Sequence, residues 1–469
     1  MKKALALTLA TMMLLTFLAA CGGAPEPVAP APVVTPEPAA PEPEPAAPPP
    51  EPTDEVIELS VLHYFDLTNP GAIEELDVIW AAFEEANPNI KIVREDEFNE
   101  PFHYKVEAYA AAGKLPDVMF AWPSGRSTTL HTQRLLKDLT PLIQRDGLAD
   151  YYVPMAMDPN EQVAGYQAII PQGITATNMV IVNMEVLDDV GLEPAKTYSE
   201  MAAQVPILRA AGYDTVLMPN LDDWVMQSCL FSLVAGRFMG ENWEQDILAG
   251  TRNFNDPDFV AALDFIKQMY DDGVIPQSSL ALDYGEAPGL FAQNTAAYYI
   301  DGDWRIGDFI TDNTTGQALI DPARQDNFIV TVFPEIDVPG VQFNRSNSVV
   351  LGTGWGMNAN LEDGSAKLEA AWTLVKWLTG VEAQTFMFRT GGISSPSRTD
   401  VAAMTLEPLQ VSASNLSNEY DTITVVIDGA FEGPVYTPLN EGLQAIGLGI
   451  QTPQEVADLT QAAFEAWQG

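Results

Sequence analysis

An α/β fold, carried behind an export signal and a long proline-rich segment, is the architecture this sequence predicts. Three observations carry the prediction. Strand and helix patterns alternate from residue 56 onward. Thirteen of the 36 prolines fall between residues 22 and 52. The first 20 residues pair a short basic start with an apolar run.

The N-terminal segment comes first. Lys2 and Lys3 precede an apolar stretch at 4–20, broken only by Thr8, Thr11 and Thr16. This is the layout of a secretory signal peptide, assigned to residues 1–20. Leu18-Ala19-Ala20-Cys21 follows: small residues enter a narrow peptidase site, and the thiol behind them offers a lipid attachment point. It looks like a bacterial lipoprotein signal, so Cys21 is the expected lipidation site. The expected location is exported and lipid-anchored to the outer face of the cytoplasmic membrane. An uncleaved membrane anchor is the alternative, although the run is short for a spanning helix.

Residues 21–53 form the next unit. Ala-Pro-Glu repetition cannot bury a core, and its prolines favour extended polyproline II. At about 3.1 Å per residue it reaches on the order of 90 Å. It reads as a disordered linker holding a domain away from the membrane.

Cysteine and charge narrow the classes. Only Cys21 and Cys229 occur. With Cys21 lipidated no intrachain disulfide is possible, and a chain of this size builds a core unaided. Cys229 lies in the apolar stretch 225–234 and reads as buried packing. Removing residues 1–20 takes two lysines and no acid, leaving 20 basic against 65 acidic residues, a net charge of −45. That argues against nucleic acid or an anionic membrane surface as partner, and disfavours phosphate-rich ligands. A solvated acidic surface is the simplest reading.

The folded region begins near residue 54. Ile57, Leu59 and Val61 alternate in a strand at 56–62. Asn69-Pro70 signals a helix start, and Ile73, Leu76, Ile79, Trp80 and Phe83 then recur at helical spacing up to Asn87-Pro88. A strand at 90–93, a helix at 102–112 ended by Gly113, and a strand at 117–122 follow. Further on, a helix at 366–378 turns Leu368, Trp372, Val375 and Leu378 inward. A final helix at 453–467 is expected to bury Val456, Leu459, Ala463 and Phe464. Trp372, Trp377 and Trp467 sit on helical faces and read as core.

Enzyme motifs are missing. His63, His103 and His131 form no His-x-x-x-His pair, and Cys-x-x-Cys, Gly-x-Ser-x-Gly and phosphate loops do not occur. A glycosidase needs only two carboxylates, which 65 acids leave open as the least favoured reading. No cofactor or metal is expected; the acid-rich loop 321–326 reads as solvated, with calcium as the alternative.

Ordered segments then point to a family. These are Phe83-Glu84-Glu85-Ala86-Asn87-Pro88-Asn89-Ile90; Ala112-Gly113-Lys114-Leu115-Pro116-Asp117-Val118; and Leu135-Leu136-Lys137-Asp138-Leu139-Thr140. They continue with Val182-Asn183-Met184-Glu185-Val186-Leu187, Gly191-Leu192-Glu193-Pro194 and Ala296-Ala297-Tyr298-Tyr299-Ile300-Asp301-Gly302-Asp303-Trp304. Gly352-Thr353-Gly354-Trp355-Gly356-Met357-Asn358 and Gly391-Gly392-Ile393-Ser394-Ser395-Pro396 complete the series. In this order the chain resembles the extracellular solute-binding proteins of ABC importers, in the branch that includes maltose- and oligosaccharide-binding proteins. Pro171-Gln172-Gly173 departs from the family's usual Gly-Ile-Pro, and Asn183-Met184 from Asn-Lys.

The resemblance implies a two-lobed, type II periplasmic-binding-protein-like fold, with an interlobe ligand cleft and hinge crossovers. By analogy the first lobe spans 54–175 plus 355–390, and the second 176–354 plus 391–469. It implies capture of a sugar or oligosaccharide and delivery to ABC permease subunits. A peptide, polyamine or glycerol phosphate ligand, or a sensory role feeding a membrane receptor, is the alternative. A monomer is expected, because the cleft rims must move.

Ligands in open α/β sheets sit beyond the carboxyl ends of strands. There the sequence sets aromatics beside acids: Tyr64 and Asp66, Trp122, Asp223 and Trp224, Asp303 and Trp304, and Trp355. Rings stack on the C–H faces of a pyranose, and fixed acceptors take its hydroxyls. The resemblance points most directly to Asp303 and Trp304. His63, Gln172 and Tyr436 are secondary candidates.

Overall fold

The computed structural model describes residues 56–67, 71–123, 125–157 and 164–468. Cys21, the signal segment, the proline-rich linker and the Asn69-Pro70 helix signal lie outside the described residues.

Alternating burial builds the first sheet. Strand β1 (Ile57–Tyr64) buries Leu59, Val61 and Leu62. It pairs in parallel with β2 (Ile90–Glu97) from Ile57 opposite Ile90 to Tyr64 opposite Glu97. On its other side it pairs in parallel with β3 (Val118–Ala121). Strands β4 (Ile169–Pro171) and β11 (Gly354–Met357) complete the order β2-β1-β3-β11-β4, with β11 antiparallel to both its neighbours. A late strand thus lies inside an early sheet.

A second sheet has the order β7-β8-β6-β9, from β6 (Met179–Asn183), β7 (Asp214–Leu217), β8 (Ala296–Asp301) and β9 (Phe328–Thr331). A third, β12-β10-β5, joins β5 (Ile174–Ala176), β10 (Ser346–Leu351) and β12 (Thr422–Val425). The chain leaves the first sheet between β4 and β5 and returns between β10 and β11. These passages touch: the Gln172 N–H donates to the Thr353 carbonyl at 3.1 Å, and a later stretch after helix Val381–Thr390 joins them where the Ile174 N–H donates to the Ser395 carbonyl at 2.9 Å.

Separate cores make the fold two-lobed. One is drawn from residues 57–170 and 355–387 and centres on Phe83, Trp355 and Trp372. Two others, drawn from residues 176–467, pack Phe231, Trp243 and Phe254 in one and Phe291, Tyr299 and Phe309 in the other. Helix Ala366–Leu378 is capped by Ser365, whose hydroxyl accepts from the Leu368 N–H. It buries Leu368, Trp372, Val375 and Leu378 as its spacing predicts. Each such side chain contributes about 1.5–3 kcal/mol on burial. Trp377 and Trp467 are half-buried, with their indole N–H groups on the Ile79 carbonyl and the Glu432 carboxylate. Cys229 is buried, as its apolar neighbours suggest.

Two inward positions are corrected. Ile73 is 61% exposed. Helix Ala72–Glu75 runs into a π-helical segment, Leu76–Ala81, before helix Ala82–Ala86. The wider turn rotates the face, so Ile79, Trp80 and Phe83 point inward and Ile73 does not. Leu459 is 49% exposed, because helix Pro453–Gln468 buries Val456, Ala457, Thr460, Gln461 and Phe464. Gln461 earns that place through its side-chain oxygen, which accepts from the Phe254 N–H at 2.8 Å.

Candidate ligand-binding cleft

A cavity of about 350 Å³ lies where the two lobes and the crossovers meet. The first lobe contributes the ends of β1 and β3. Tyr64 and Trp122 meet edge to face at 5.1 Å, and His103 and Phe120 stand 4.8 and 5.1 Å from Trp122. The Trp122 carbonyl is held by the His131 ring at 2.7 Å, and its N–H by the Ser127 hydroxyl at 3.1 Å. Burial pushes the Tyr64 hydroxyl up to about 12 and holds His103 well below the usual imidazole range. Both groups are neutral near pH 7.

The second lobe answers with Trp224, Tyr284 and Trp304. Trp224 lies 5.0 Å from Tyr284 and 6.2 Å from Trp304. The Trp304 indole N–H donates to the Tyr284 hydroxyl at 2.6 Å. Trp304 folds back over Gly302, where a Cβ would lie 2.2 Å from the ring. Only glycine permits that approach. Beneath these rings Arg305 lies 3.5 Å from the Tyr284 centroid and pairs with Asp301 at 3.3 Å and Asp308 at 2.7 Å.

The crossovers form the floor. The Trp355 indole N–H donates to Gln172 Oε1 at 2.9 Å, and His63 packs 5.2 Å from the Trp355 ring. His63 also faces Glu75 at 3.6 Å and Asp96 at 3.3 Å. Burial raises the Glu75 carboxyl, with His63 opposing the rise. Two rims join the lobes. At one, Arg126 pairs with Asp428 at 2.7 Å and with Glu100 at 2.7 Å, and stands over Tyr436. Gly125 beside it has φ +48°, and a Cβ there would meet the Asp428 carbonyl oxygen at 1.8 Å. At the other rim the Gly71 N–H donates to Asp312 Oδ2 at 2.7 Å.

Two lobes, crossing strands and an interlobe cavity are the geometry of a protein that closes around a solute. The model of the bacterial extracellular solute-binding protein family matches residues 79–414, well over half of the chain. This chain belongs to that family. Among curated protein sequences none matches it.

Solved structures share the fold of this binding protein. One, described for xylan utilization by the thermophilic bacterium Caldanaerobius polysaccharolyticus, has a TM-score of 0.77 at 21% identity, over 87% of this chain and 99% of that one. A chitin oligosaccharide binding protein has a TM-score of 0.77 at 20% identity, over 88% and 100% of the two chains. The maltose/maltodextrin-binding domain from Bdellovibrio bacteriovorus, bound to maltotriose, has a TM-score of 0.66 at 20% identity, over 88% and 99%.

Of the residues singled out in the sequence, Tyr64, Asp66, Trp122, Trp224, Trp304 and Trp355 line the cavity of the binding protein, as do His63 and Gln172. Three, Asp303, Asp223 and Tyr436, are not part of the lining. Asp303 is 4% exposed, and its Oδ2 accepts from the Ala176 N–H of β5 at 2.9 Å. Burial pushes its carboxyl up to about 7. It ties the loop after β8 to the crossover strand. Asp223, half-buried just before Trp224, stays outside the lining, and burial raises its carboxyl, helped by Glu100 and Glu441. Tyr436 sits at the rim beneath Arg126. Sequence reasoning passed over Glu75, Arg126, Tyr284, Arg305, Asp308 and Asp428, all of which line the cavity. Arg305 had a local signal, being next to Trp304. Asp428 had none, since it lies 302 residues from Arg126.

Proposed function

We propose that this binding protein captures a carbohydrate, a sugar or short oligosaccharide, in the interlobe cleft and passes it to ABC permease subunits in the membrane. One observation carries the reading: aromatic clusters from both lobes, Tyr64 with Trp122 and Trp224 with Trp304, line a single cavity whose walls also carry hydrogen-bonding groups. Rings stack on sugar C–H faces, and carboxylates, amides and hydroxyls take the ring hydroxyls. Several structurally similar proteins are described with saccharides, which supports this class.

The protein acts as a monomer without catalysis, anchored by lipid on Cys21 to the outer face of the membrane, with lobes 54–175 plus 355–390 and 176–354 plus 391–469. Thermal-shift and calorimetric titration of the purified full chain against maltotriose, xylobiose, chitobiose, raffinose, amino acids, peptides and polyamines tests the ligand class. A ligand that binds only the folded chain at 100 times its Kd adds about 2.7 kcal/mol of stability. A shift with saccharides alone supports the proposal. A shift with peptides or polyamines alone sinks the carbohydrate assignment, and release of shorter saccharides sinks the non-catalytic one.

A further inference from the structure

The cavity's two guanidinium groups are each paired with acids of the protein itself. Arg305 spends all three nitrogens: Nε on Asp301 at 3.3 Å, Nη1 on Asp308 at 2.7 Å and Nη2 on the Tyr284 carbonyl at 2.5 Å. Arg126 gives Nε to Asp428 and Nη1 to Glu100, both at 2.7 Å. Among the described residues no other lysine or arginine lines the cavity, whereas Asp66, Glu75, Asp308 and Asp428 all do. Each arginine is therefore matched by two acids, and the lining carries more carboxylates than guanidiniums.

This arrangement has a consequence for ligand charge. An anion entering the cleft meets carboxylates in a partly water-excluded space, where like charges repel far more than in water. At Arg305 it competes with Asp301, Asp308 and the Tyr284 carbonyl, and at Arg126 with Asp428 and Glu100; displacing Asp308 or Asp428 would leave a buried carboxylate without its guanidinium. A neutral ligand pays neither penalty. Specificity is a difference of affinities, and a built-in repulsion enlarges that difference.

We propose that the cleft selects by charge, accepting neutral sugars and rejecting their acidic counterparts, with Asp308 and Asp428 setting the preference by occupying Arg305 and Arg126. The proposal rests on the carbohydrate reading and narrows it to uncharged saccharides. Asp428 has a second part in it, because its pair with Arg126 also spans the lobes. Closure and charge filtering share one contact.

Matched pairs test it by calorimetric titration of the full chain at pH 7 and low salt. The probes are glucose with glucuronate, galactose with galacturonate, galactobiose with digalacturonate, and xylobiose with its methylglucuronyl-substituted form. Within any pair that binds, the neutral member is expected to be at least tenfold tighter. In Asp428→Asn or Asp308→Asn the ratio is expected to shrink at least threefold. Both members of a pair need the same closure and the same fold, so the ratio reports charge even where a variant weakens binding overall, and the second variant serves if the first fails to fold. A uronate that binds as tightly as its neutral parent overturns the charge filter and leaves the carbohydrate reading standing. A ratio unchanged in both variants overturns the assignment to these aspartates. No binding by any saccharide of either charge overturns the carbohydrate reading and this inference with it.

Discussion

The indole N–H of Trp304 donates to the hydroxyl of Tyr284 at 2.6 Å, so the ring that faces the cleft is held by a residue twenty positions earlier. Tyr284 is itself held from behind by Arg305, 3.5 Å from its ring centroid. The Tyr284→Phe variant keeps the ring and removes the acceptor. It leaves the Trp304 N–H without its partner, a loss of about 1–3 kcal/mol. Saccharide affinity is expected to fall by roughly tenfold with the fold unchanged, read by calorimetric titration beside far-UV circular dichroism. Unaltered affinity would show that Trp304 needs no such support.

The cavity tryptophans divide by burial. Trp122 and Trp304 are half-buried at the cavity wall, whereas Trp355 is 2% exposed and also belongs to the first core. Trp122→Ala and Trp304→Ala are each expected to cost about 2 kcal/mol of binding, close to 30-fold in Kd, with little change in melting temperature. Trp355→Ala is expected to cost about 3–5 kcal/mol of folding stability. Denaturant melts and titrations on the same samples separate the two effects. A large stability loss in the first pair would assign those rings to the core.

Gly125 sets how close the lobes come. With φ at +48° and a Cβ that would sit 1.8 Å from the Asp428 carbonyl oxygen, alanine there cannot coexist with the observed rim. Gly125→Ala is expected to hold the cleft open and to weaken saccharide binding at least tenfold. Small-angle scattering would then show no compaction on adding a saccharide that compacts the parent chain. Normal compaction would mean that closure does not pass through this contact.

Glu244 gives a pH signature. It is fully buried beside Trp243, whose indole N–H donates to the Thr424 hydroxyl at 3.0 Å while that hydroxyl donates to the Glu244 carboxylate. Burial pushes its carboxyl up to about 8. The folded value lies above the ordinary value of 4.5, so its contribution to stability is complete below about pH 4.5. That contribution is lost as pH rises toward 8, at up to about 1.4 kcal/mol per pH unit. Glu244→Gln removes this titration. The difference in melting temperature between variant and parent should move in the variant's favour from pH 5 to pH 8. The comparison cancels the slope contributed by the other acids, and a constant difference would mean that Glu244 is ionised in the folded chain.

Local pattern carried much of the architecture. Apolar alternation marked β1, helical spacing marked Ala366–Leu378 to the residue, and Gly113 ended its helix with φ +63° as its position implies. These are short-range effects, decided within a few residues. The misreadings came where a neighbour overrode the period. A π-helical turn at Leu76–Ala81 rotated Ile73 outward, and the Phe254 N–H gave Gln461 a buried partner on the face assigned to Leu459.

The cleft divides the same way. Aromatic residues at strand ends made Tyr64, Trp122, Trp224 and Trp304 legible in the sequence, because a strand end fixes which way the next side chains project. Among the acids of the lining only Asp66 was legible, since 65 acidic residues look alike until partners are known. Asp303 stands next to Trp304 yet turns to the Ala176 N–H, whereas Asp428 reaches the cavity from 302 residues beyond Arg126. The sequence by itself determined the strand and helix periods, the acidic balance and the order of segments that marks the family. Only the tertiary structure decided which carboxylates meet which guanidiniums, because a charge pair is made by spatial approach, and chain separation has no bearing on that distance.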